Sequence, residues 1–135
     1  MPVLQDLWIL SNSGTVLFSR AFDEKLENQL FGALMSALNS FAEQLAEGGL
    51  SNLEIAEKRF VLKKTPTCTF VASSSKKVKE KKLNEELEKV VGTFRKKYPD
   101  DWFNNWDCDI SIFESFEEEI EEMLENPIKQ FWQGF

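Results

Sequence analysis

Residues Asp23 to Glu47 read DEKLENQLFGALMSALNSFAEQLAE, and the spacing of their apolar side chains predicts a long amphipathic helix. One stripe runs through Leu30, Leu34, Ala37, Phe41 and Leu45, with Leu26 and Ala33 at its margin. A second, adjoining stripe runs through Phe31, Met35, Leu38 and Ala42. At about 100° per residue the two together subtend roughly 200°, twice the arc a surface helix needs to cover one sheet. Such a helix has a second apolar surface to bury. Asp23 offers an N-cap, Glu24 and Glu27 stand in the first turn where the helix dipole favours negative charge, and Gly48-Gly49 closes the helix.

Upstream, DLWILSNSGTVLFSRAF over Asp6 to Phe22 holds two β-rich runs around Ser11-Asn12-Ser13-Gly14. Glycine takes positive φ without penalty and Asn and Ser favour local turns, so this is read as a hairpin. Leu7, Trp8, Ile9 and Leu10 are apolar in succession, which suits a central strand covered on both faces. Downstream, Leu53 and Ile55 alternate with polar residues, as do Phe60 and Leu62, and then Cys68, Phe70 and Ala72. Three strands follow, with Thr65-Pro66-Thr67 as a tight turn because proline fixes φ and cannot donate to a ladder. Ser73-Ser74-Ser75 ends the sheet region.

The last third is helical and electrically divided. Lys76 to Lys97 carries nine Lys/Arg and four Glu, whereas Asp100 to Glu125 carries eleven Asp/Glu and no Lys or Arg. Leu83, Leu87, Val90, Val91, Phe94 and Tyr98 form one helical stripe that Pro99 stops. Phe113, Phe116, Ile120 and Leu124 form the next, behind capping boxes at Ser111/Glu114 and Ser115/Glu118. Trp102, Phe103 and Trp106 are expected to plug the bend between these helices. Asn126-Pro127 breaks the pattern, so the chain divides into a domain over 1–126 and an aromatic tail over 127–135.

The order strand, strand, helix, three strands, helix, helix describes an α/β (α+β) sandwich. A five-stranded antiparallel sheet, ββαβββαα, with one helix on one face and two on the other buries every stripe. At 135 residues and 42% hydrophobic this is one domain with material for a proper core. A net charge of −7 opposes nonspecific nucleic-acid binding, and no stretch approaches the length of a membrane span or the pattern of a signal peptide. A cytoplasmic location is expected, peripheral to a membrane only through partners.

Chemistry is sparsely represented. The chain has no histidine, no glycine-rich phosphate loop and no Gly-x-Ser-x-Gly, which argues against an enzyme, and no cofactor is called for. Asp107-x-Asp109-x-Ser111 with Glu118 echoes a calcium-loop spacing, but Ile112 stands where the sharp turn needs glycine, so capping is the expected role and no metal is assigned. The glutamates from Glu117 to Glu122 and the lysines from Lys76 to Lys82 read as solvated faces. Cys68 is expected in the core and Cys108 at the surface.

In LWILSNSGTVLFSR leading into a long apolar helix, then EKRFVLKKTPTCTFVASSS and FRKKYPDDWFNNWDCDISIFESFEEEI, the chain resembles a longin domain of the profilin-like type. Roadblock domains are similar in three dimensions, but they begin with a helix where this chain begins with a hairpin. The resemblance implies a stand-alone, non-catalytic adaptor of membrane traffic or small-GTPase regulation. Its partner would be a small GTPase or another longin or roadblock subunit, with a homodimer also open. A chain ending Trp132-Gln133-Gly134-Phe135 has no prenylation motif and is not expected to be a complete vesicle SNARE. A small-molecule sensor with a cavity between sheet and helix is the alternative.

These readings converge on the first helix. Its Leu30/Leu34/Ala37/Phe41/Leu45 stripe is expected to face the sheet, leaving Phe31, Met35 and Leu38 to border a partner-binding groove beside the strand of Leu53 and Ile55. The tail aromatics Phe131, Trp132 and Phe135 are the competing occupant of that groove.

Overall fold

The structure is a computed structural model that describes residues 3–20, 28–45, 51–55 and 57–124. In chain order the elements are β1 (Asp6–Ser11), β2 (Val16–Arg20), α1 (Asn28–Leu45), β3 (Asn52–Ile55), β4 (Lys58–Lys64), β5 (Cys68–Ser75), α2 (Glu80–Lys97) and α3 (Phe116–Ile120). The strands form one antiparallel sheet in the order β2-β1-β5-β4-β3. The expected ββαβββαα order and layering are therefore observed. Asp23 and Gly48-Gly49, proposed as the ends of α1, lie outside the described residues.

Local chemistry places each turn. Gly14 adopts φ 91° in the β1–β2 hairpin, a left-handed conformation that glycine takes freely. Thr65 closes the turn around Pro66, with its N–H donating to the Cys68 carbonyl at 2.8 Å. The serine run is the last part of β5 and ends the sheet region, as expected. Ser73 and Ser74 are buried, and the Ser73 hydroxyl donates to the carboxylate of buried Asp6 at 2.6 Å. Lys58 also contacts that carboxylate, so the buried charge at the start of β1 is both paired and hydrogen-bonded.

The apolar run of β1 alternates between two cores. Leu7 and Ile9 point to the face covered by α2 and α3, whereas Trp8 and Leu10 point to the α1 face. On β2 the alternation is broken. Ile9 pairs with Phe18 and Leu10 with Val16, so Leu17 is an extra residue in the ladder. This bulge sends Val16 to the α1 side and both Leu17 and Phe18 to the other.

The α2/α3 face is packed around Phe94. Its ring lies 5.3 Å from Phe70, 5.2 Å from Phe116 and 5.8 Å from Phe113 between centroids. The α2 stripe is buried as its spacing requires, apart from a half-buried Val91, and Phe113, Phe116, Ile120 and Leu124 are buried beside it. The backbone carrying the latter stripe is not one helix, however. Short 3-10 turns over Ile110–Phe113 and Glu121–Met123 flank the five-residue α3. Neither serine capping box forms. Asp109 caps the first turn instead, accepting from the Ser111 N–H and hydroxyl at 3.0 and 2.7 Å, and these bonds hold its carboxyl below the usual range.

Cys68, at the start of β5, is fully buried, and burial pushes its thiol up to about 11. Cys108 is exposed, and both cysteines are free.

Candidate functional site

The orientation of α1 is set by a glycine that the apolar spacing passes over. A Cβ on Gly32 would stand 2.6 Å from the Gly14 carbonyl oxygen and 3.0 Å from a Val16 methyl, so only glycine lets the helix approach the hairpin this closely. Gly32 must then face the sheet. Met35, one turn on, does so as well and is 1% exposed among Trp8, Leu10, Val16, Phe60, Leu62 and Val71. At about 100° per residue, Phe41 falls on the opposite side of the helix from Gly32. It is 62% exposed and Leu45 is 74% exposed, with Ala33 and Ala37 exposed beside them.

This reverses the expected assignment of the two stripes. Ala37, Phe41 and Leu45, expected against the sheet, form an outward ridge. Met35, expected at a groove, is a core residue. The physical reason is that both stripes are apolar enough to be buried, and the side lacking a Cβ at residue 32 is the one that can come closest to the hairpin. The side chains of Leu30 and Leu34 lie outside the described residues.

Of the remaining groove residues, Leu38 and Leu53 are half-buried and pack against the Met35 cluster from the helix and from the edge strand β3. Leu53 pairs with Phe60 across the ladder, and Ile55 pairs with Lys58 at the strand end. The side chains of Phe31 and Ile55, like the tail over 127–135, lie outside the described residues. The structure thus brings Met35, Leu38 and Leu53 into one neighbourhood, with Met35 as its floor and Leu38 and Leu53 at its margin.

Between α1 and the two hairpin tips lies a cleft of about 230 Å³. Met35 and Leu10 form its base, and Ser36, Asn39, Glu43 and Lys64 line its sides. Glu43 accepts from the Asn39 amide at 3.2 Å and lies 3.5 Å from the Lys64 ammonium. These groups engage one another, and the volume falls below the roughly 300 Å³ at which small-molecule sites begin. Among the described residues no cluster of His, Cys, Asp or Glu has the arrangement to hold a metal, and no helix is long and apolar enough to cross a membrane.

The sequence model of the family described as the first longin domain of FUZ, MON1 and HPS1 matches residues 5–98, from the start of β1 to the end of α2. The chain belongs to this longin family. The longin domain also shares its fold with solved structures of low sequence identity. It is 12% identical to Myxococcus xanthus MglB, with a TM-score of 0.53 over 64% of this chain and 76% of that one. It is 17% identical to a Roadblock/LC7 domain from Streptomyces avermitilis, with a TM-score of 0.58 over 71% and 86%. For the gliding protein MglB of Thermus thermophilus the identity is 11% and the TM-score 0.50, over 64% and 71%. A comparison with curated proteins finds no match. The aromatic and acidic segment after Tyr98 lies outside the residues that the family model matches.

Proposed function

We propose that this longin domain is a non-catalytic adaptor of membrane traffic or small-GTPase regulation. It binds a small GTPase or a second longin or roadblock subunit through the outward side of α1 and the adjoining edge strand β3, and works in the cytoplasm. The observation that carries this reading is the exposure of Phe41 and Leu45 on the side of α1 turned away from the sheet. Large apolar groups aligned on one helix face, with Leu38 and Leu53 filling in toward the sheet, make the kind of contiguous patch that partner surfaces present. The proposed contact set keeps Phe31, Met35, Leu38, Leu53 and Ile55, with Met35 supporting it from beneath, and adds Ala37, Phe41 and Leu45.

The test is affinity capture from native lysate followed by mass spectrometry, comparing the unaltered chain with Phe41→Asp and Leu45→Asp. Both positions are exposed, so the variants should fold. Recovery of a GTPase or of a longin or roadblock protein, lost with both variants, is the expected result. A partner retained unchanged by both would overturn the surface, and a partner of neither class would overturn the assignment. For the homodimer reading, light scattering coupled to size exclusion decides: a monomer at every concentration sinks it.

A further inference from the structure

Beyond α1, a second surface is built by the segment that follows α2. Phe103 and Trp106 come from a 3-10 turn over Asp100–Asn105 and its C-cap. They stand across from the β1–β2 hairpin and enclose an open groove of about 370 Å³. Leu17, the bulged residue of β2, forms its floor with the two aromatic rings, and Asn12, Ser13 and Thr67 form its rim.

The aromatic wall is braced from behind. Trp106 packs edge-to-face on buried Phe113 at 5.3 Å between centroids, stacks on Trp102 at 6.1 Å and meets Phe103 at 5.8 Å. Its indole N–H donates to the Asp109 carbonyl at 3.1 Å, which fixes the ring plane. The turn that supplies that carbonyl is itself held. The Asp109 N–H donates to the Asp107 carboxylate at 3.1 Å, Ser111 binds the Asp109 carboxylate, and Cys108 between them takes φ 67°. Trp106 nevertheless remains half-exposed.

Charge selects the occupant. Asp101, Asp107, Asp109 and Glu114 are exposed on the chain segment that carries these rings, in a stretch from Asp100 to Glu125 with eleven acidic residues and no Lys or Arg. Aromatic faces attract cations through their quadrupole. Guanidinium adds planar stacking and two-pronged bonding to carboxylates, and sheds water more readily than ammonium. We propose that the groove between the β1–β2 hairpin tip and Phe103/Trp106 docks an arginine side chain from a basic, extended segment of a partner protein. The guanidinium lies against the Trp106 ring and its neighbouring residues meet these exposed carboxylates. This surface is separate from the α1 ridge and stands or falls independently of it.

The test uses three short peptides in which glycine alternates with arginine, lysine or glutamate, titrated into isotope-labelled protein. The indole N–H signal of Trp106 and the amides of Ser13 and Thr67 report the groove. The arginine peptide should move these signals together, the lysine peptide should bind several-fold more weakly, and the glutamate peptide should leave them unmoved. Ser13→Arg places a cation at the exposed lip without touching the core. It should weaken the arginine peptide by about tenfold or more while Phe41→Asp leaves it unchanged. Trp106→Leu, if folded, should reduce binding similarly. The proposal is overturned if shifts are confined to Glu117–Glu122, if Ser13→Arg binds like the unaltered chain, if lysine and arginine peptides bind equally, or if millimolar arginine peptide moves nothing.

Discussion

The two faces of the sheet are built to different standards. Opposite α1, the side chains of β1, β5, α2 and α3 close around Phe94 in a continuous aromatic core, sealed at its margin by half-buried Trp102, Phe103 and Trp106. On the α1 side the core among the described residues gathers around Met35 and Trp8, and the helix above it carries Phe41 and Leu45 outward. The difference teaches that one face closes on itself while the helix on the other keeps two large apolar side chains, Phe41 and Leu45, at the surface.

The largest test of that contrast is Phe94→Ala. Removing the ring at the centre of the closed face should lower stability by about 3–5 kcal/mol, read from the midpoint of chemical denaturation. Met35→Ala takes a buried α1 side chain from the opposite core and should lower it by about 2–3 kcal/mol. A loss at Met35 equal to that at Phe94 would break the comparison. Glu86 on α2 probes the polar margin of the closed face. Burial raises its carboxyl, but bonds from Lys82 at 2.9 Å and Lys89 at 3.1 Å outweigh this and hold it below the usual range. Because its folded value is lowered, its contribution is present above the unfolded carboxyl value and disappears as pH falls through the folded one. Glu86→Gln should therefore lower stability by about 0.5–1 kcal/mol at neutral pH, since the lysines are exposed, and by nothing at low pH. Smallest of all, Phe41→Ser and Leu45→Ser should each change stability by less than about 0.5 kcal/mol in thermal melts. Destabilisation by several times that amount would show that the ridge belongs to the fold.

Periodicity made most of the fold legible. The stripe from Leu83 to Tyr98, the uninterrupted run Leu7 to Leu10 and the Ser-Asn-Ser-Gly hairpin each encode a burial pattern that only one element type satisfies. Periodicity is silent where two answers bury similar area. In α1 the competing stripes were nearly equal in apolarity, and the choice fell to the missing Cβ of Gly32, a fact about distance to another strand. The bulge at Leu17 is similarly hidden, because Thr15 to Arg20 reads as a strand in either register. In the last third, Phe113, Phe116, Ile120 and Leu124 announced their burial but not the 3-10 turns that achieve it. Candidate contact residues were legible as a neighbourhood through Met35, Leu38 and Leu53. Their roles were not, since floor and rim differ only in packing.

The buried thiol at the start of β5 gives the molecule a clock of its own. Burial that holds its value near 11 leaves little thiolate at neutral pH, and the surrounding core keeps reagents away from the sulfur. An alkylating agent can therefore reach it only when the packing over the start of β5 opens. Cys108, exposed on its turn, reacts in the intact molecule during the same exposure. One cysteine counts the molecules while the other counts how often the seam beneath them opens.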